Sequence, residues 1–296
     1  MIDETPSSGE NAPNGVLTRY SFKDTPKDEV KLIYFTAAGD TIIGYSSKKD
    51  QKGEEMKESK DFYANPKARK NDILTTKAGM NSFLWNMRYP NATEVEGTNI
   101  MWSGSTTGPK AVPGKYKVQL IVGKSLIKEQ EFEILKDPRV KATIPELQAQ
   151  FDLLIKINKK LSENHKGINQ IRKVRADVNG YLKAVKDESL GKKLKDQTKD
   201  MMKALEEIEG TLMQPKSKAG QDALNYAIQL NDKLAGVGSA VQSADTKPTK
   251  SSYEVYNDLA GKIDKQLERI KVIMNKDVPA FNDAVRQADI KAINVN

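Results

Sequence analysis

A chain of 296 residues with 38% hydrophobic and 30% charged residues has room for one to three domains, each with its own core. It holds no cysteine and a single histidine, His165, which excludes disulfides, Cys-ligated metal sites, multi-histidine metal sites and histidine relays. Its net charge of +8 is uneven, with 20 basic and 19 acidic residues over 1–137 but 28 and 21 over 138–296.

Residues 1–15 are polar and rich in Ser, Asn, Gly and Pro, which predicts a flexible linker with no signal-peptide core. An alternating pattern then begins. Leu17, Arg19 and Phe22 form a first short run, Val30 to Phe35 a second, and Thr41 to Tyr45 a third, after a turn at Gly39-Asp40. Residues 46–72 are a charged excursion. The strand pattern returns over Asn81–Arg88, where Phe83, Trp85 and Met87 share one face. A loop from Tyr89 to Pro113 carries Trp102. Tyr116, Val118, Leu120 and Val122 alternate inward, Gly123-Lys124 turns the chain, and Ile127, Gln130, Phe132 and Ile134 lie in the return strand. Six or seven short strands without an intervening helix predict an immunoglobulin-like antiparallel β-sandwich over 16–137.

At Asp137-Pro138-Arg139 the rhythm changes. Thr143 and Glu146 have the spacing of a capping box, with Pro145 tolerated in the first turn. Leu147, Phe151, Leu154, Ile157 and Leu161, then Ile168, Ile171, Val174, Val178, Leu182 and Val185, recur every three or four residues. They predict one very long helix, or two collinear ones divided at Gly167. A second helix carries Leu190 to Leu212 and stops before Pro215, and a third runs from Ala227 to Val241. A fourth, capped by Ser251 and Glu254, carries Tyr256 to Met274, with Pro279 kinking it or starting a short last helix. Each narrow stripe needs the others for burial, which predicts an antiparallel four-helix bundle over 138–296.

The run Asn81-Ser82-Phe83-Leu84-Trp85-Asn86-Met87-Arg88-Tyr89-Pro90 resembles the "N-x-F-x-W-D-L-R-Y-P" stretch that follows the β-propeller in exported bacterial sortilin-like, BNR-repeat proteins, often labelled glycosyl hydrolases. Gly108-Pro109-Lys110-Ala111-Val112-Pro113-Gly114-Lys115-Tyr116 is similar to their "G-P-x-A-x-P-G-x-Y" strand entry. Asp137-Pro138-Arg139 with Leu147-Gln148-Ala149-Gln150-Phe151 is similar to their junction into a C-terminal helical region, and Ala12-Pro13-Asn14-Gly15 to the linker before their sandwich. The resemblance covers most of residues 12–185. Asn86 and Met87 depart from the family's Asp and Leu, and no propeller is present. The resemblance implies a location in the periplasm or at the cell surface and packing against a β-propeller or partner protein. The hydrolase label belongs to the missing propeller and does not transfer.

The residue inventory is poor in chemistry. His165 lies between Asn164 and Lys166, in the setting of a surface or bundle-edge histidine. The carboxylate pairs Glu54-Glu55 and Glu206-Glu207 sit in solvated stretches, and adjacent helical positions point apart. Gly236-Val237-Gly238 falls inside a helical pattern, where small residues permit close helix approach rather than cradle a phosphate. Arg172-Lys173-Val174-Arg175 and Lys192-Lys193-Leu194-Lys195 flank buried stripes, without the interleaved aromatics of nucleic-acid binding. Trp102, beside Ser103-Gly104-Ser105, either stacks on a sugar face or packs over the sandwich edge. The expectation is therefore a non-catalytic accessory module with a protein partner, no cofactor, no metal, no nucleic acid and no membrane insertion. The alternative is a carbohydrate-binding sandwich that serves a linked glycoside hydrolase through Trp102.

Overall fold

The computed structural model describes residues 14–48, 73–97, 100–101 and 104–287. They form two antiparallel sheets and four α-helices, divided between two compact units. The described residues up to Pro90, together with Lys110–Lys141, make the first unit, and those of Asn91–Pro109 with Ala142 onward make the second. The sequence pattern had placed the division at 137/138 and left residues 91–109 with the strands. That segment instead sorts with the helices, because its apolar residues Ala92 and Val95 join the helical core.

Six strands build the first unit: β1 (Val16–Phe22), β2 (Val30–Thr36), β3 (Thr41–Ser46), β4 (Gly79–Trp85), β5 (Gly114–Val122) and β6 (Ser125–Ile134). One sheet pairs β1 with β4, and the other runs β3-β2-β5-β6. Alternate residues of both sheets share a single core, which joins Tyr20, Phe83 and Trp85 to Leu32, Tyr34, Tyr116 and Val118. Tyr34 stacks on Trp85 with ring centroids 4.6 Å apart, and its hydroxyl pairs with that of Thr18 at 2.8 Å. Gly123 turns β5 into β6 with a positive φ of 60°, the first central position of a two-residue hairpin turn of type II′, where glycine is favoured. β4 ends at Trp85 rather than Arg88. Asn86 Oδ1 accepts the Arg88 N–H, Met87 takes a positive φ of 60°, and the Trp85 indole donates to the Arg88 carbonyl.

In the second unit, α1 (Ile144–Ala184) starts on the predicted capping box, with Thr143 N–H donating to Glu146 Oε2 at 2.8 Å. It runs unbroken for 41 residues. Gly167 does not divide it, because that glycine is a contact point: a Cβ there would come within 2.8 Å of Leu267 and 3.0 Å of Ile270 on α4 (Lys250–Gln287). Thr249, not Ser251, caps α4, since its hydroxyl accepts the Ser252 N–H. The helix continues through Pro279, and buried Phe281 meets Tyr181 of α1 edge-on and anchors the turns that follow.

The pairings fix the directions. Lys160 with Asp264 and Tyr181 with Phe281 set α4 parallel to α1. Glu209 of α2 (Glu188–Leu212) meets Arg172 and Arg175, and the Gln150 amide donates to the carbonyl of Val241 at the end of α3 (Leu230–Val241). Both α2 and α3 therefore run antiparallel to α1, α2 along its second half and α3 along its first. The four predicted helices exist, but α2 and α3 follow one another in a single column. The 12-residue α3 is too short to cover α1's stripe, so two helices share the task.

Candidate functional site

The apolar stripe of α1 has a gap of six residues between Leu161 and Ile168, and all but Gly167 carry polar side chains. Ser162, His165, Asn169 and Arg172 follow at spacings of three and four, so they line one face of the helix. That face holds the backbone of residues 93–96. Ser162 Oγ accepts the Thr93 N–H at 3.1 Å, and the Thr93 carbonyl meets His165 Nδ1 at 2.5 Å. The Asn169 amide donates to the Glu94 carbonyl at 3.0 Å, and the Arg172 guanidinium to that of Glu96 at 2.9 Å. Further on, the Met101 N–H donates to Asp232 Oδ1 of α3 at 2.7 Å. Five backbone groups of one segment are thus bound by five side chains. The segment is strapped to the helices by its main chain, whatever its own side chains are.

His165 is buried at 2% exposure, which corrects the expectation of a surface histidine. The reason is positional: four residues after Leu161 and three before Ile168, it continues the inward stripe. Burial holds its imidazole below the ordinary value, against the opposing bond to Thr93. Since a carbonyl only accepts, Nδ1 carries the proton, and Nε2 is an acceptor with no partner among the described residues. Asp232 is pushed the other way, its carboxyl raised by burial against the amides of Met101 and Gln229 and its own N–H.

The basic cluster at Arg172–Arg175 is likewise committed to structure. Glu209, 4% exposed, receives Arg172 Nε at 2.7 Å and Arg175 Nη1 at 2.6 Å. Glu206 and Glu207 are exposed on α2, and Glu207 pairs with Arg269. Gly238 lies in α3, where a Cβ would meet Ile157 of α1 at 3.4 Å, in line with close helix approach. Trp102 and the Glu54-Glu55 pair lie outside the described residues. Among the described residues, no cluster of three His, Asp or Glu has metal-holding geometry, and no helix is long and apolar enough to cross a membrane.

This arrangement can position and hold chain. It offers no free nucleophile next to a base, since the Ser162 hydroxyl already donates to the Asn158 carbonyl and accepts from Thr93. Sequence reading passed over the row because its members are ordinary helix-surface residues. The readable signal was the six-residue gap in the stripe. Comparison of the chain with protein-family models, with curated proteins and with solved structures finds no match.

Proposed function

We propose that this chain is a non-catalytic interaction module: an immunoglobulin-like β-sandwich and a helical bundle that pack against a β-propeller or another protein at the cell envelope. One observation carries the reading. The two-stranded β1–β4 sheet shares its core residues with a sheet of four strands, and β6, the outer strand, is exposed on both faces over its first seven residues. At that corner Leu126 and Ile127 are 55% and 53% exposed. An edge strand with an unspent apolar end, in a sheet otherwise closed by aromatic packing, suits a protein neighbour that adds backbone pairs or covers the corner. Glu129 and Glu131, bridged by Lys117, keep the same edge soluble while it is free.

A photocrosslinking residue at position 127 of the whole protein, in its own host, tests this. A discrete adduct with one other polypeptide, missing when the crosslinker replaces the equally exposed Val272 on α4, is expected. Adducts only with a second copy, or identical patterns from both positions, would remove the reading. So would reproducible glycoside hydrolysis by pure protein that one carboxylate substitution abolishes. The carbohydrate-binding alternative rests on Trp102 alone, and loss of polysaccharide retardation in Trp102→Ala with an intact fold would favour it.

A further inference from the structure

Asn164 lies seven residues after Ile157 on α1, and Asn231 seven residues before Gly238 on α3. Ile157 and Gly238 face each other across the two helices, since a Cβ at Gly238 would meet Ile157 at 3.4 Å. Because α1 and α3 are antiparallel, two turns taken in opposite chain directions reach the same layer. Asn164 and Asn231 therefore share one layer of the α1–α3 contact, and His165 flanks it under the 93–96 segment.

Both asparagines are buried, at 0% and 1% exposure. Among the described residues, neither the Nδ2 nor the Oδ1 of either one has a hydrogen-bond partner, and His165 Nε2 has none. They are thus not paired with each other. A buried polar atom left unmet costs roughly 1–3 kcal/mol, and native proteins hold only a few such atoms. Five in adjoining positions of one helix pair call for a shared partner. That partner must both donate and accept, since two amide nitrogens need acceptors while two amide oxygens and one imidazole nitrogen need donors. It must be small and uncharged. Asp232, which adjoins Asn231 in the chain, is already bonded to Met101, and burial disfavours ionisation of both Asp232 and His165.

We propose that the layer of Asn164 and Asn231 is an internal water site. The site holds at least two waters, since one water has only two protons: together they accept from the asparagine Nδ2 groups and donate to the two Oδ1 atoms and to His165 Nε2. Such water is an integral part of the interior and is retained with the fold.

The test is a water-selective Overhauser measurement on the intact, 15N-labelled chain. The side-chain amide protons of Asn164 and Asn231 are expected to show cross-peaks to water, with the sign of a water that tumbles with the protein. In Asn231→Leu the Asn164 peak should disappear. Amides without a water peak, or bonded through the hydrogen bond to a protein carbonyl, would overturn the site, as would an Asn164 peak that persists in Asn231→Leu. Should that variant fail to fold, a crystal structure of the unsubstituted chain decides. Water density within hydrogen-bond distance of both asparagines supports the site. A dry layer, or the two amides bonded to each other, overturns it.

Discussion

The two units finish their interiors in different ways. In the β unit every large polar aromatic of the core has its polar atom met. The Trp85 indole donates to the Arg88 carbonyl, Tyr20 to that of Thr75, Tyr116 to that of Val112, and Tyr34 pairs with Thr18. In the helical unit, the stripe of Leu and Ile is interrupted by Asn164, His165 and Asn231, and their partnerless atoms are, among the described residues, the only ones of their kind. Rings with one polar tip can be satisfied locally, by a carbonyl a few residues away. Asn164 in the middle of α1 cannot, because the helix backbone there has already used its own donors and acceptors, and Asn231 in the first turn of α3 is not met locally either. The β core is thus closed on itself, whereas the helical core depends on something laid over or into it: the 93–96 backbone and, as proposed, water.

The largest effect that would sharpen this contrast is at Trp85, which is fully buried and in contact with Tyr34, Tyr116 and Phe132. Trp85→Ala should cost about 4 kcal/mol, as the loss of a large buried ring usually does. Urea unfolding followed by near-ultraviolet dichroism measures it. A loss below about 1 kcal/mol would mean that the aromatic cluster is not the closed core described. The same core predicts an alkaline response. Burial pushes the Tyr34 hydroxyl up to about 12, so the folded chain holds that proton longer than the unfolded one, and stability should fall as pH rises above the ordinary tyrosine value of 10.0.

In the helical unit the next largest effect is at Glu209. Glu209→Ala removes a buried carboxylate and leaves Arg172 and Arg175, each about one-third exposed, to find water. Because the guanidiniums can be rehydrated, the expected loss is about 2 kcal/mol, below that of a fully buried ion pair. Arg172 also holds the Glu96 carbonyl, so amide exchange over residues 93–96 should accelerate more in Arg172→Ala than in Arg175→Ala. Equal acceleration would show that the segment does not depend on the polar row.

How far these features could be read beforehand differs between the units for a physical reason. Strand periodicity and glycine turns are local, so six strands, the Gly123 hairpin and the shared face of Phe83 and Trp85 are visible in the residues themselves. The Thr143 box is equally local. What pairs across the chain is not visible. The segment 91–109 looks like a sandwich loop, and its sorting with the helices depends on Thr93 reaching Ser162 and His165, about 70 positions away. Gly167 looks like a helix break, because propensity counts its missing side chain as a cost. The close approach of α4 that uses the missing Cβ lies outside any local window. Trp102, the one ligand-stacking candidate, lies outside the described residues.

His165 gives a smaller effect with a definite sign. Its folded value is depressed, so between that value and the ordinary 6.5 the unfolded chain binds more protons than the folded one. Stability must then rise with pH across the window and be lost as pH falls below 6.5, with a slope of at most about 1.4 kcal/mol per pH unit for one proton. Urea midpoints from pH 7 downward should show the slope in the wild type, and His165→Gln should flatten it. An unchanged slope would assign the acid sensitivity to carboxylates.

The smallest effects come from two glycines of the same helix. Gly167 and Gly180 both lie inside α1, and propensity alone assigns the change to alanine a gain of about 1 kcal/mol at each. Their surroundings differ. Gly180 is exposed with nothing within 4 Å of a built Cβ, whereas at Gly167 that atom would press on Leu267 and Ile270 at 2.8 and 3.0 Å. Gly180→Ala should therefore stabilise by about 0.5–1 kcal/mol. In Gly167→Ala the crowding, of about 1–3 kcal/mol, should cancel or reverse the gain. Thermal melts of the two single variants compare them directly. If both rise alike, α4 does not lie against Gly167, and the parallel register of α1 and α4 would have to be redrawn.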